Sequence, residues 1–349
     1  MFFHSSVYRV CKRGDTARGD FCIFDHFTTG QRGGGCHVPG SFRNKSDIDL
    51  STEFLGRQLD APLLISGMTG GYSKAKKINE HLASAAETYQ LAMGVGSQRA
   101  GLKTERLKET YSVVKNFDIP LRIGNIGASQ LVLWGHEKTV SFLSEMIEMI
   151  DAHAIAICLN YLQEVIQFEG EAHAKGTLEA IQKLADAIEI PIIVKESGAG
   201  ISYDVAQRLA ETSIAAIDVG GMGGTSFAAI EHYRAKLHFD RLHARGGKTF
   251  WDWGIPTPQS LVEVRDVVEE SFPVIASGGI RNGLDAAKAL ALGANLVGSA
   301  YALLQPATKS EKETMFEIDA IVKELRAAMF LTGCDHVDSL RYVEVDGWI

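Results

Sequence analysis

"IASGGIRNGLDAAKALALGA", residues 275–294, begins as an apolar run, breaks at Gly278 and Gly279, sets Arg281 in the turn and resumes as an Ala/Leu-rich helix. A glycine pair ahead of a helix lets backbone N–H groups approach a ligand closely, and the helix N-terminus together with Arg281 favours an anion such as a phosphate. The same stretch also reads as a βα turn that needs glycine for geometry alone. Its neighbours decide what kind of sheet it belongs to.

From residue 61 onward short apolar runs recur: "APLLISGMTGG" at 61, "LAMGVGSQR" at 91, "LRIGNIGA" at 121, "AIAICLN" at 154, "PIIVKESG" at 191, "AAIDVGGMGGT" at 215, "PVIASGG" at 273 and "LVGSA" at 296. Between them lie "KAKKINEHLASAAETYQ", "KTVSFLSEMIEMID", "TLEAIQKLADAIE" and "PQSLVEVRDVVEES", with apolar residues three and four apart, the spacing of amphipathic helices. Near-continuous apolar strands alternating with helices make a parallel sheet covered on its outer face, and eight such units close into a (β/α)8 barrel. A doubly wound sheet fits less well, because no G-x-G-x-x-G opens the first unit. Residues 228–256 form an unusually long connection that covers or builds a site, and "KETMFEIDAIVKELRAAMFLTGC" reads as a final helix packed on the barrel. The division expected is an N-terminal arm over 1–45, without periodicity, and one barrel domain over 46–349.

Composition narrows the ligand class. Of 349 residues 46% are hydrophobic and 22% charged, the balance of a globule with a large core, and the formal net charge is −8. That acidity offers no field for nucleic acid or an anionic membrane, so an anionic small molecule must be met by local cations. Cys11, Cys22, Cys36, Cys158 and Cys334 are odd in number and lack metal-type spacing, which points to a reducing cytoplasm. No run is long and apolar enough to span a bilayer, and the first residues do not read as a signal peptide.

Barrel chemistry sits at the C-terminal ends of the strands. In chain order those positions hold Thr69; Ser97, Gln98 and Arg99; Asn125; Asn160, Gln163 and Glu164; Lys195 and Glu196; Asp218 and Thr225; Ser277 and Arg281; and Ser299. Thr69 and Ser299 also suit turns or caps, Asn125 also suits a sharp turn, and Lys195, Glu164 and Glu196 also suit strand-end salt bridges. Together the positions suggest two anion sites. The glycines of "GGMGGT" and "SGGIR", with the turn after "LVGSA", cradle one phosphate. Arg99 with Glu164 holds a more highly charged one through Mg2+.

The series "SGMTGG", "MGVGSQR", "GNIGA", "LNYLQE", "IVKESGAGI", "IDVGGMGGTS", "WDWGIPT" and "SGGIRNGLDAAKALALGA" resembles the motifs of type 2, FMN-dependent isopentenyl-diphosphate isomerases, and "AAMFLTGC" resembles their archaeal branch. The resemblance runs from about Lys45 to the C-terminus. It implies a barrel that binds FMN, reduced by NADPH or another donor, and a Mg2+-bound diphosphate stacked on the flavin. It implies FMN contacts from Gly67, Met68, Thr69, Gly70, Ser97, Asn125, Lys195, Thr225, Gly279, Ile280, Arg281, Ala300 and Tyr301. Substrate contacts are implied for Ser97, Gln98, Arg99, Asn160 and Gln163, with Glu164 on Mg2+. Double-bond migration adds a proton at one carbon and removes another two carbons away, in a site that excludes water. The resemblance assigns proton carriage to reduced flavin at N5, charge stabilisation to Lys195 and orientation of the substrate to Gln163, with Glu231 a lesser candidate. It further implies a homotetramer or homo-octamer.

Three departures stand out. Cys158 occupies the position of the family's usual histidine, Phe168 that of a proline, and residues 1–45 contain no counterpart of its basic N-terminal motif, as a misread start or frame would produce. These departures motivate an alternative, a flavin-binding barrel with impaired catalysis and a binding or regulatory role. An FMN-dependent 2-hydroxy acid dehydrogenase is a further alternative, but that chemistry wants a histidine base beside the arginine after the seventh strand, where "ASGGIR" has none.

Overall fold

The computed structural model describes residues 44–345. The arm expected over 1–45, with three of the five cysteines, lies almost wholly outside them. The eight anticipated runs are eight parallel strands: β3 (Leu63–Ile65), β4 (Ala92–Gly94), β5 (Leu121–Gly127), β6 (Ala154–Cys158), β7 (Ile192–Lys195), β8 (Ala216–Asp218), β9 (Val274–Ser277) and β10 (Leu296–Ser299). They close in the order β10-β3-β4-β5-β6-β7-β8-β9, sealed where Val297, Gly298 and Ser299 pair with Leu63, Leu64 and Ile65. This is the (β/α)8 barrel, with its helices on the outside.

The helical segments are α1 (Ala75–Thr88), α2 (Arg99–Lys103), α3 (Glu105–Ser112), α4 (Ala128–Trp134), α5 (His136–Ile150), α6 (Tyr161–Ile166), α7 (Thr177–Ala187), α8 (Tyr203–Ala210), α9 (Phe227–Leu237), α10 (Arg241–Thr249), α11 (Thr257–Arg265), α12 (Gly283–Ala291), α13 (Tyr301–Lys309) and α14 (Glu311–Thr332). The opening stretch shows how sequence makes one unit. β9 is buried along its length, Asn282 caps α12 by accepting the Asp285 N–H at 2.8 Å, and a Cβ on Gly283 would stand 2.2 Å from the Leu325 backbone nitrogen. Glycine there lets α12 cross α14 at backbone contact. α14 is the expected final helix, started by Ser310 and stopped by Gly333 at φ 78°. The long connection 228–256 is mostly α9 and α10, the second capped by Asp240.

Sequence periodicity missed a hairpin ahead of the barrel, β1 (Thr52–Phe54) with β2 (Arg57–Leu59). Its Phe54 and Leu59 are buried among Leu64, Ala92, Leu121, Ala154, Ala216 and Leu296, residues near the N-terminal ends of the barrel strands. The hairpin therefore corks the end of the barrel opposite the chemistry. Arg122 and His153 belong to that same end. The Arg122 guanidinium reaches Asp151 at 2.5 Å, and the His153 Nδ1 accepts the Arg122 N–H at 3.1 Å. Burial and the neighbouring Arg122 push the His153 pKa down to about 4.

Candidate active site

Lys195 ends β7, and strand register sets it beside Cys158 on β6 and Asp218 on β8. The lysine Nζ donates to the Glu196 carbonyl at 2.8 Å and to Ser197 Oγ at 3.2 Å, and Ser197 Oγ also meets Cys158 Sγ at 2.8 Å. Burial pulls the ammonium pKa down, but the combined fields of Cys158, Asp218 and Glu196 outweigh it, so the net shift is upward and the cation is retained. Burial raises the Cys158 thiol and the Asp218 carboxyl. Asp218 Oδ1 accepts Ser277 Oγ at 2.5 Å and the Gly220 N–H at 3.3 Å. Glu196 turns away from ligand duty: its carboxylate caps the following loop through the N–H groups of Ser197 and Ala199.

Ser66, Gly67, Asn125, Lys195 and Asp218 line the upper part of a cavity of about 20 Å³ inside the barrel, whose lower wall includes Leu64, Ile193 and Ile275. That space holds about one water. Ser66 Oγ, buried there, has no hydrogen-bond partner among the described residues. Asn125 Nδ2 donates to the Val95 carbonyl at 3.2 Å. A Cβ on Gly67 would stand 2.2 Å from the Val95 carbonyl oxygen, and one on Gly70, at φ 154°, would stand 1.9 Å from the Tyr111 ring. Thr69 spends its hydroxyl on Asn79 at 2.6 Å, and its carbonyl accepts the Gly96 N–H at 2.9 Å and Asn79 Nδ2 at 3.2 Å.

The glycine turns after β8 and β9 interlock. A Cβ on Gly224 would lie 2.7 Å from the Gly279 nitrogen, and one on Gly278 would lie 2.1 Å from the Gly221 carbonyl oxygen. Gly278 and Gly279 have φ of 106° and 84°, left-handed values that other residues resist. Arg281, exposed at the rim, reaches the Gly223 carbonyl at 2.7 Å and so ties the two turns together. Ser299 Oγ supports the cradle by donating to the Ile280 carbonyl at 3.0 Å, and Ala300 and Tyr301 open α13 beside it. A glycine-lined backbone cradle, rimmed by a guanidinium, fits a phosphate of FMN.

On the other side of the mouth, Asn160, Gln163 and Glu164 sit at the start of α6. Glu164 is buried; Oε1 accepts Asn160 Nδ2 at 3.2 Å, and Oε2 accepts Gln167 Nε2 and the Glu171 N–H, both at 2.8 Å. Oε1, with one donor, retains the lone-pair capacity a Mg2+ contact needs; Mg2+ commonly takes one or two carboxylates and fills its other positions with water and phosphate oxygens. Gln163 Nε2 donates to Glu231 Oε1 at 3.3 Å, and Arg234 holds the other Glu231 oxygen at 2.6 Å. The long connection thus reaches the site, as its length suggested. Burial nonetheless raises the Glu231 carboxyl.

Two residues of one sequence motif have partners that the motif does not announce. Gln98 is fully buried, its amide donating to the Met146 carbonyl at 3.0 Å and its oxygen accepting the Asn125 N–H at 3.2 Å, so it braces the barrel wall. Arg99 does not pair with Glu164. It meets Glu171 at 2.6 Å, a residue the sequence did not single out because it sits in a loop without a motif. Ser97, in the same turn, keeps its side chain exposed while its carbonyl accepts Tyr111 Oη at 2.7 Å.

A closed barrel with a glycine phosphate cradle after its sixth and seventh strands and a buried cation ending its fifth defines an FMN-dependent class, and the profile of the FMN-dependent dehydrogenase family matches residues 159–345. Mandelate oxidase in complex with 3,3-difluoro-2-hydroxy-3-phenylpropionic acid superposes with a TM-score of 0.62 at 16% identity, covering 89% of this chain and 86% of that one, a likeness of fold alone. Sequence relatives are more specific. The isopentenyl-diphosphate delta-isomerase of Thermoplasma volcanium is 46% identical over 302 residues, 85% of this chain and 84% of that protein. Those of Methanothermobacter thermautotrophicus and Methanoregula boonei are 45% and 48% identical, covering 85% and 84% of this chain and 81% of each relative. The chain belongs to the isopentenyl-diphosphate delta-isomerase family, in its FMN-dependent type 2 branch.

Proposed function

We propose that this chain interconverts isopentenyl and dimethylallyl diphosphate, with FMN across the barrel mouth, NADPH as its reductant and Mg2+ on the diphosphate. The observation that carries the reading is the buried Lys195 cation, fixed between Cys158 and Asp218 under the mouth of a barrel whose relatives bear that isomerase name. Reduced flavin would supply the proton donor and acceptor over the migrating double bond.

The remaining work falls to the chain. Lys195 would offer the reduced cofactor a fixed positive charge, which acts without reorganisation cost. The turns around Gly224 and Gly279, with Arg281, Ala300 and Tyr301, grip the phosphate of the cofactor, and Gly67, Met68, Thr69, Gly70, Asn125 and Thr225 offer backbone and amide contacts along it. Ser97, Arg99 and Asn160 bind the diphosphate, Glu164 bridges to it through Mg2+, and Gln163, steadied by Glu231, orients the substrate. A site that excludes bulk water once substrate is bound would protect a carbocation-like species from capture. The active assembly proposed is a homotetramer or homo-octamer in the cytoplasm.

The dehydrogenase alternative loses support at Ile280, an apolar residue that is buried where a histidine base is needed. Full-length protein loaded with FMN, reduced and supplied with Mg2+ and isopentenyl diphosphate is expected to form dimethylallyl diphosphate. Tight FMN binding without turnover would favour the impaired, regulatory barrel instead.

A further inference from the structure

We infer that Glu171 is a built-in competitor for the anion site at Arg99, and that a diphosphate binds by exchanging with its carboxylate. The inference rests on the diphosphate reading of Arg99 given above. Glu171 Oε2 meets Arg99 Nη2 at 2.6 Å and also accepts Gln130 Nε2 at 2.9 Å, while the Glu171 N–H donates to Glu164 Oε2 at 2.8 Å. One loop residue therefore contacts both the cation and the carboxylate assigned to a Mg2+-diphosphate.

The Arg99–Glu171 pair is a poor candidate for a purely structural tie. The two side chains are 29% and 36% exposed, and ion pairs that wet contribute little to a fold. A carboxylate on a guanidinium is the same donor–acceptor match a phosphate oxygen makes, so the two anions compete for one fork. They cannot share it comfortably either, because a diphosphate at Arg99 would sit against the charges of both Glu171 and Glu164. Mg2+ can offset the Glu164 charge, whereas Glu171 lowers the cost by leaving the guanidinium. Return of the carboxylate to Arg99 then assists departure of the product, setting residence time through an internal anion.

The test is calorimetric titration of inorganic diphosphate, with Mg2+, into the FMN-loaded full chain and its variants Glu171→Gln, Arg99→Ala and the double variant. Glu171→Gln keeps the shape and a partner for Gln130 but removes the charge. It is expected to tighten diphosphate binding about threefold to fivefold, the range of a partly exposed ion pair. Arg99→Ala is expected to weaken binding, and the gain from Glu171→Gln should shrink in that background, since an exchange at Arg99 needs Arg99. Unchanged or weaker binding by Glu171→Gln, with Arg99→Ala still impaired, overturns the competitor. An equal gain with and without Arg99 overturns exchange in favour of general charge repulsion. Diphosphate binding indifferent to Arg99→Ala overturns the substrate reading of Arg99 itself, a result distinct from the other two.

Discussion

Gly224→Ala isolates the phosphate cradle. The φ of Gly224 lies outside the left-handed region, so alanine meets no backbone penalty there, and any effect has to come from the methyl group. That methyl would stand 2.7 Å from the Gly279 nitrogen and 3.3 Å from its Cα, both main-chain atoms that cannot rotate aside. The turns after β8 and β9 would have to part by several tenths of an ångström. Overpacking of this kind costs about 1–3 kcal/mol, and if the cost falls on the ligand-bound geometry it weakens FMN by about 5- to 150-fold. Quenching of flavin fluorescence on titration into apoprotein measures the effect. Gly246→Ala is the control: its Cβ meets nothing within 4 Å inside α10, so it should leave FMN affinity alone and raise stability by about 0.5–1 kcal/mol. A Gly224→Ala apoprotein that melts like the parent and binds FMN with the same affinity would refute the cradle.

Glu164→Gln should abolish Mg2+-dependent turnover while FMN content holds; loss of thermal stability with Mg2+ dependence intact would mark Glu164 as a brace for Asn160, Gln167 and the Glu171 backbone. Cys158→His, extending a longer donor from a position now committed to Ser197, should lower the KM for the diphosphate by about tenfold, read by steady-state kinetics at saturating Mg2+. The depressed His153 pKa means that unfolded chains take up a proton that folded chains refuse, so its stabilising share is present above pH 6.5 and is lost as pH falls towards about 4. Solvent screening limits that share to roughly 1–2 kcal/mol, and His153→Gln should flatten that stretch of the stability–pH curve. Phe54→Ala should cost about 3–5 kcal/mol in denaturant unfolding and leave FMN affinity unchanged, since the cork and the site occupy opposite ends.

The barrel was legible because the buried strands are near-continuous apolar runs, and helical stretches with apolar residues three and four apart recur between them. β1 and β2 were not, because Thr52, Glu53, Arg57 and Gln58 break any apolar run and the burial of Phe54 and Leu59 depends on a partner surface assembled from distant residues. The cradle was legible through glycines whose spacing reflects backbone contact. The surroundings of Gln98 were not legible, because it stands between Ser97 and Arg99 in one motif and motif membership does not say which way a side chain turns; its partners are a helix carbonyl at Met146 and a strand amide at Asn125. Glu171 was silent for a different reason. An ion pair across 72 positions leaves no local trace, and only the fold brings the α6–α7 loop back to Arg99.

The cork has a consequence for how the chain is made. Phe54 and Leu59 are synthesised before any barrel strand, yet their resting place includes Leu296 on the last one. At roughly 5–20 residues per second a ribosome needs on the order of ten seconds to a minute to travel that distance. Throughout that interval Phe54 and Leu59 are without their socket, and the hairpin's strands are too short to be stable alone. Nascent chains arrested before β10 should accordingly be the species that chaperones hold, and completion of the eighth strand, rather than of the first, is the event that retires the earliest part of the domain from their care.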